Sequence, residues 1–176
     1  MQPGEFVGLS KYTTLKNDDL FWKSIFNTVY FAVFFVPLSI IIGVALAMML
    51  NMKVKGMGIY RTIFFLPTLV PHVALAVLWM WLLNPGFGLV NGALDMIGIQ
   101  GPNWLGSETW SKPSLILMSL WAIGQPVIIY LAGLGDIPEE LYEAAEVDGA
   151  NWFQKTFNVT LPLLTPVIFF NLVMGA

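Results

Sequence analysis

The sequence contains no cysteine, a single histidine and few charges. Without cysteine there is no disulfide framework, thiolate nucleophile or cysteine-ligated metal site. One histidine, His72, does not supply the three or four ligands of a zinc site. Only 11% of the 176 residues are charged and 57% are hydrophobic, whereas a typical soluble domain has roughly 25% charged residues. The composition therefore excludes an ordinary cytosolic domain and indicates an integral membrane protein. A net charge of −3 gives no sign of a nucleic-acid partner.

Four long runs carry no Asp, Glu, Lys or Arg, and they cover residues 24–52, 62–94, 113–135 and 156–176. About 20 apolar residues cross the hydrocarbon core as a helix, and a backbone in lipid must satisfy its own hydrogen bonds. The sequence thus predicts an all-α membrane protein, a helical bundle with three full transmembrane helices and the start of a fourth. The predicted spans are 24–52 (with 27–50 crossing the bilayer), 61–83, 114–135 and a short 161–176, which leads us to expect a fragment that ends inside a membrane helix.

Proline occurs in every predicted span, and we expect a kink or break at each position. Broken helices line cavities in many transporters, although proline is also generally more frequent in membrane helices. The positions are Pro37, Pro67, Pro71, Pro126 and Pro166.

Polar segments alternate with the spans and predict an orientation. Segments 1–23 and 84–112 share one side, and 51–61 and 136–160 share the other; each side has four Lys or Arg residues. The short loop 51–61 has the densest positive charge next to a membrane end, so the positive-inside rule places it and 136–160 in the cytoplasm. Segment 1–23 is then extracytoplasmic, and its charges exclude a secretory signal peptide.

The last polar segment is the most charged and predicts two short helices. Asp136 and Glu139 have the spacing of a capping box. Gly149 suits the left-handed residue that ends a helix. Asp148 is expected to cap a second helix over 152–158.

The same segment carries a spaced signature. The fixed residues, in chain order, are Glu143, Ala144, Ala145, Gly149, Val159, Leu161 and Pro162. This pattern resembles the E-A-A-x3-G-x9-I-x-L-P signature of permease subunits of binding-protein-dependent ABC importers, with valine in place of isoleucine.

Two further stretches resemble one subgroup of these permeases. Phe-Phe-Leu-Pro at 64–67 and the Trp-rich run at 79–91 are similar to carbohydrate-importer permeases of the maltose and multiple-sugar type. The segments 6–12 and 21–22 resemble the extracytoplasmic part after the first helix of such subunits. A usual subunit of this kind has six spans, so we expect the first and last to be missing here and the fifth to be cut.

The resemblance implies a permease subunit that forms half of a sugar translocation path in a bacterial-type inner membrane, as a multi-pass protein. Its partners would be ABC ATPase subunits, a second permease and an extracytoplasmic solute-binding protein. The ATPase would bind the ATP, so no cofactor is implied for this chain. A short cytoplasmic coupling helix around Glu143 would dock on the ATPase. The coupling residues implied are Glu143, Ala144, Ala145, Asp148, Gly149, Leu161 and Pro162.

Several polar or aromatic residues lie within the predicted spans. Sugars bind through hydrogen bonds and aromatic stacking, so these side chains are candidates for the substrate path, but such residues also join helices or lie in interfacial belts. They are Trp121, Gln125, Tyr130 and Asn171. His72 is either a functional ionisable group within the membrane or a neutral side chain that hydrogen-bonds across helices. Gly43 and Ala47 form a small-xxx-small pair that predicts helix packing.

No enzyme signature is present. The sequence has no G-x-x-x-x-G-K-[ST] phosphate-binding run, and its acidic residues cluster in one loop. Two alternatives remain open: an ABC permease for another solute such as an oxyanion, and a self-contained channel or secondary transporter. The latter predicts ion-pathway charges within the spans, and 62–94 and 113–135 contain none.

Overall fold

The computed structural model describes residues 8–175. Over this range the chain forms helices and no strand, which confirms the predicted all-α fold. The helices are α1 (Ser10–Lys16), α2 (Asp19–Leu50), α3 (Met57–Phe65), α4 (His72–Leu82), α5 (Leu89–Met96), α6 (Ser111–Trp121), α7 (Gly124–Gly135), α8 (Glu139–Val147), α9 (Trp152–Lys155) and α10 (Leu161–Gly175). A 3-10 turn (Leu66–Leu69) follows α3, and a π-helical segment (Thr156–Thr160) joins α9 to α10.

Helix α2 is one uninterrupted span. It has 32 residues, about 48 Å at the helical rise, and Asp18 caps it by accepting a hydrogen bond from the Leu20 N–H at 2.9 Å. Pro37 lies inside α2 and Pro166 inside α10, yet both helices continue. Neither proline divides its span into two helices, and the expected kinks at these two positions stay predictions. A proline removes only one backbone hydrogen bond, and the flanking turns hold the rest of the helix.

The predicted spans 61–83 and 114–135 are each two helices rather than one. The segment from α3 through the 3-10 turn meets α4 at a bend of 94°, and α6 meets α7 at 49°. The first break lies between Leu69 and His72, where Pro71 precedes α4. The second follows Trp121, and Pro126 stands in the first turn of α7, where a missing N–H costs no helical bond. Counting each bent pair as one span gives four candidate spans.

The fourth span is longer than the predicted 161–176. Helix α9, the π-helical segment and α10 run on as a continuous 24-residue helix from Trp152 to Gly175. The chain thus enters this span directly from the charged segment, without a break before Pro162.

The core lies where α2, α7 and α10 meet. Ala47 and Leu164 are fully buried, and Tyr130 is 1% exposed. A Cβ on Gly43 would lie 2.9 Å from Cε2 of the Tyr130 ring, so only glycine allows this approach. The Gly43 and Ala47 pair therefore packs α2 against α7, as predicted.

Two ion pairs fix which polar segments share an end of the bundle. Lys53 contacts Glu139 at 2.6 Å and joins the α2–α3 loop to α8. Lys23 contacts Glu108 at 3.4 Å and joins the start of α2 to the α5–α6 loop. The alternation of ends thus follows the expected pairing. The assignment of the end that carries Lys53 and Glu139 to the cytoplasm stays a prediction.

Candidate functional site

Helix α8 begins at a proline rather than at a side-chain cap. Pro138 is the N-cap residue, no side chain caps the helix, and Asp136 is instead the C-cap of α7. The expected capping box between Asp136 and Glu139 was therefore wrong. Two acidic residues, Glu139 and Glu140, lie in the first turn, where the helix dipole favours negative charge. Ile137 is buried and fixes the turn between α7 and α8.

The end of α8 explains the spacing of part of the signature. Gly149 has a φ of +77°, and its N–H donates to the Glu146 carbonyl at 3.0 Å. The N–H of Ala150 donates to the Ala145 carbonyl at 2.9 Å. These two bonds form a Schellman motif, which needs a left-handed residue four positions after the carbonyl that accepts its outer bond. Gly149 stands four positions after Ala145, as this motif requires. The left-handed residue predicted at the end of α8 is therefore confirmed.

Helix α9 starts with a capping box that the sequence reasoning missed. The Asn151 side chain accepts from the Gln154 N–H at 2.9 Å, and the Gln154 side chain accepts from the Asn151 N–H at 2.7 Å. Asp148 is the C-cap of α8, so the expectation that it caps the second helix was wrong. An Asn followed three residues later by Gln matches the capping-box spacing and was the available signal.

Side-chain contacts hold α8 and α9 as one hairpin. Lys155 Nζ lies 2.6 Å from Glu146 Oε1, with the Lys155 side chain 21% exposed. The hydroxyls of Tyr142 and the buried Thr160 lie 3.0 Å apart. We call residues 139–155 the coupling hairpin, after the role that the resemblance implies. The first contact joins α8 to α9 and the second joins α8 to the π-helical segment, and both lie on the same side of α8.

The coupling hairpin is also tied to the α2–α3 loop. The hydrogen bond and charge of Lys53 lower the pKa of the Glu139 carboxyl from its ordinary value of 4.5. In turn, Glu139 raises the pKa of Lys53 above its ordinary 10.5. Both side chains are well exposed, so this pair orients the hairpin more than it stabilises the fold.

The outer surface of the hairpin combines small, acidic and apolar side chains. Glu143 and Ala144 are exposed, whereas Ala145 is half-buried. Val147 is 89% exposed, and the exposed rings of Trp152 and Phe153 meet edge to face at 5.0 Å. A surface of this kind suits docking into another protein, because small side chains allow close backbone approach and carboxylates pair with basic residues.

Leu161 and Pro162, the last signature residues, lie in the first turn of α10. Leu161 is half-buried and packs against the core, and Pro162 is exposed. The π-helical segment ends directly before them. A proline ring clashes with the carbonyl four residues earlier, here that of Asn158, and a widened turn relieves such a clash. The signature therefore marks where the hairpin joins the span.

The structure does not gather the four candidate substrate-path residues into one site. Trp121 is exposed and meets the Trp79 ring edge to face at 5.9 Å. Gln125 is exposed as the second residue of α7, directly after the break. The Asn171 amide donates to its own helix, to the Val167 carbonyl at 3.1 Å. Tyr130 lies in the core, which favours the packing interpretation for this residue.

A cavity of about 410 Å³ lies beside Trp121, between α2, α3, α6 and α7. Its lining side chains are apolar, among them Phe64, Leu120 and Val127. Because a sugar needs hydrogen-bond partners, this cavity by itself does not form a sugar site. His72 is the first residue of α4 and is exposed.

The sequence reasoning also missed a buried residue that organises the 84–112 loop. Asn91 is 5% exposed and donates to the carbonyls of Pro85 and Pro102 at 3.2 and 3.3 Å. It accepts from the Trp104 indole N–H at 2.7 Å. The Ser114 hydroxyl then donates to the Trp104 carbonyl at 3.0 Å, which fixes the loop to α6. The run of Pro85 and several glycines before Asn91 predicts a tight loop, but not this hydrogen-bonded centre.

Comparison with known proteins gives consistent matches. Residues 21–176 match the family described as "Binding-protein-dependent transport system inner membrane component". The chain is 40% identical over 173 residues to the probable ABC transporter permease protein YesP of Bacillus subtilis (strain 168), covering 97% of this chain and 56% of that protein. It is 37% identical over 170 residues to the trehalose/maltose transport system permease protein MalF of Thermococcus litoralis, covering 96% and 58%.

A solved structure also matches this chain. The bacterial alginate ABC transporter in complex with an alginate pentasaccharide-bound periplasmic protein includes a chain that superposes with a TM-score of 0.88 at 31% identity. The match covers 96% of this chain and 59% of that chain. The present chain thus spans a little over half the length of the relatives it matches.

Proposed function

We propose, from the premise that this chain belongs to the family of binding-protein-dependent transport system inner membrane components, that it forms half of the translocation path of an ATP-driven sugar importer. Membership places the chain among multi-pass proteins of the inner membrane, in agreement with its apolar helices. Beyond this family membership, we propose the import activity, the solute and the partners.

The coupling hairpin is the observation that carries the proposal. It projects from one end of the bundle, presents Glu143 and Ala144 outward, and joins the spans on both sides. Its first helix follows α7 after three residues, and its second continues into α10 without a break. A displacement of the hairpin by a docked ATPase subunit would therefore be passed to two spans at once.

The individual signature residues have different parts in this proposal. Glu143 and Ala144 contact the ATPase, and Ala145 and Gly149 shape the turn that sets the angle of α8. Asp148, as the C-cap of α8, is exposed beside that turn. Leu161 and Pro162 connect the hairpin to the α10 span. The ATPase partner binds and hydrolyses ATP, and this chain needs no cofactor.

The proposed solute is a sugar, delivered by an extracytoplasmic solute-binding protein. The names of two matched proteins support this class, since one is a trehalose/maltose permease and the other an alginate transporter bound to its periplasmic protein. A second permease supplies the other half of the path. Within this chain, Trp121 and Gln125 are the best placed for sugar contact, because both are exposed next to the α6–α7 break. Asn171 stays a candidate on α10.

The proposal is tested with the full-length permease, tagged and purified in mild detergent from its native membranes. Recovery of an ABC ATPase and a second permease, followed by ATP-dependent uptake of trehalose or maltose in proteoliposomes, is the expected result. Recovery of ATPase with uptake of an oxyanion in place of sugar would support the alternative solute class. A homo-oligomer that mediates solute flux without ATPase would overturn the proposal in favour of a channel or secondary transporter.

A variant test addresses the hairpin itself. Ala144→Trp adds bulk to the exposed face of α8, and we expect it to reduce recovery of the ATPase while the permease pair stays intact. Gly58→Ala is the matched control, because a Cβ at Gly58 in α3 meets nothing within 4 Å. Equal ATPase recovery from both variants would contradict docking through this face.

A further inference from the structure

Helix α5 presents an unpaired apolar face at the end of the bundle opposite the coupling hairpin. Its exposed positions Leu89, Ala93, Met96 and the C-cap Ile97 follow the i, i+4, i+7, i+8 spacing of one helix face. Met96 is 90% exposed, one of the most exposed large apolar side chains among residues 8–175. We call these four residues the α5 stripe. It carries no charge, and the exposed Asp95 lies on the opposite side of the helix, one turn after Asn91.

The stripe is held rigidly because the opposite face of α5 is anchored. Asn91 is buried there in the hydrogen-bonded centre with Pro85, Pro102 and Trp104. The helix ends in a second Schellman motif, with Gly98 at φ +77° and the Ile99 N–H donating to the Leu94 carbonyl at 3.0 Å. The loop cannot turn the stripe inward without breaking these bonds.

The position of α5 along the chain places it at the membrane surface. The α4 span ends at Leu82, seven residues before α5 begins, and the next span starts with α6 at Ser111. Lys112 lies in the first turn of α6, with its Nζ 5.1 Å from the centre of the Phe26 ring. Lysine and tryptophan near span ends mark the interface between hydrocarbon and water. Trp104 and Trp110, packed edge to face at 5.1 Å, lie in the same loop.

We propose that α5 is an interfacial helix whose stripe is inserted into the lipid at this end of the bundle. A short helix with an uncharged apolar face lies in the plane of the interface and inserts that face between headgroups and acyl chains. Met80 and Trp81 at the end of α4, the helix that precedes α5, are also exposed apolar side chains. Lipid covers the stripe without any additional protein partner. The inserted helix α5 then holds the 84–112 loop at a fixed depth in the membrane interface.

The natural absence of cysteine from this chain allows a direct test. Single cysteines are introduced as Ala93→Cys or Met96→Cys on the stripe, and as Asp95→Cys on the opposite, polar side of α5 as the matched control. The full-length permease is purified with its partner subunits, with cysteines elsewhere in the complex replaced by serine. After spin labelling in lipid nanodiscs, collision rates are measured with oxygen, which concentrates in lipid, and with a water-soluble nickel chelate.

We expect labels at 93 and 96 to collide severalfold more with oxygen than with nickel, at a depth of about 5–10 Å. The label at 95 should show the opposite preference. Dominant nickel collisions at 93 and 96 would overturn the proposal, because the stripe would then face water. Low collision rates with both reagents would also overturn it, since a protein subunit would then cover the stripe. The result does not depend on whether the complex transports sugar.

Discussion

Lys53 and Glu139 are 86 residues apart in the chain, and Lys53 Nζ lies 2.6 Å from Glu139 Oε1. Glu139 is the first residue of α8, so the contact ties the start of the coupling hairpin to the α2–α3 loop. No other ion pair joins these two segments among residues 8–175.

This pair predicts a pH window for the position of the hairpin. The pKa of Glu139 is lowered, so its contribution is complete above the ordinary carboxyl pKa and is lost as the pH falls through the lowered value. The pKa of Lys53 is raised, so its contribution is complete below the ordinary amine pKa and is lost as the pH rises through the raised value. We expect a constant spin-label distance between residues 54 and 140 from about pH 5 to 10, and a broader distribution in acid. Glu139→Gln should be broad at every pH, and a narrow distribution in that variant would contradict the tether.

Gly149 predicts a graded response to substitution. Its φ of +77° is strained for any residue with a Cβ, although a Cβ there meets nothing within 4 Å. Gly149→Ala should therefore cost about 1–2 kcal/mol through the backbone alone, and Gly149→Asn less. Under the proposed function, both lower the uptake per ATP hydrolysed, alanine more than asparagine. Gly135→Ala, in open space without a positive φ, is the control. Equal coupling ratios in all three variants would show that the turn does not set the docking angle.

Gly124 predicts a steric cost where the two broken spans cross. A Cβ on Gly124 would lie 2.7 Å from the Phe64 carbonyl oxygen and 2.7 Å from Thr68 Cγ2. Backbone atoms cannot move aside as a flexible side chain can, so Gly124→Ala should destabilise the fold by about 1–3 kcal/mol. The thermal unfolding midpoint of the purified complex measures this. Gly58→Ala should leave the midpoint unchanged or raise it, because alanine favours helix and finds open space. Similar midpoints for the two variants would refute the close crossing.

Asn91 predicts a local loss of protection in the 84–112 loop. Asn91→Ala leaves the Trp104 indole N–H and two proline carbonyls without their partner, at a cost of about 1–3 kcal/mol. Hydrogen exchange of the loop amides should accelerate, while that of α2 stays as in the unmodified protein. Asn103→Ala removes an exposed turn contact to the Gly106 N–H and should have a smaller effect. Faster exchange in the Asn103 variant than in the Asn91 variant would contradict the assignment of Asn91 as the centre of the loop.

Single substitutions separate the candidate substrate-path residues. Tyr130→Phe should leave sugar uptake unchanged, because the ring packs in the core against Gly43. Trp121→Ala and Gln125→Ala should lower uptake severalfold at similar amounts of assembled complex, since both side chains are exposed. The measurement is the initial uptake rate in proteoliposomes. A loss of uptake in the Tyr130 variant, with none in the other two, would reverse the assignment.

Local features of this chain were predictable because their causes are local. The αL position at Gly149 follows from a glycine placed after an apolar helix face, and the hydrogen bonds that fix it involve residues within five positions. The long charge-free runs predict helices because lipid leaves no alternative. By contrast, Pro138 and Asp136 are both acceptable near a helix start, and the sequence does not show which one is the cap.

Features set by distant contacts were not predictable in the same way. Tyr130 is a core residue because Gly43, 87 positions earlier, leaves room for its ring. Pro37 and Pro71 are alike in sequence terms, yet α2 continues through one and the chain turns sharply before the other. The 94° bend depends on how α4 packs after the 3-10 turn. No periodic pattern of apolar residues in the sequence encodes that packing.

The two breaks have a consequence for where water and lipid lie around the bundle. Helices α4 and α7 both begin in the middle of a span, next to the bends of 94° and 49°. The first N–H groups of each helix have no helical acceptor, and hydrocarbon offers none. Oxygen atoms from water or from another protein segment must therefore solvate these donors. The surface at the two breaks is thus hydrated or covered by protein rather than by lipid tails.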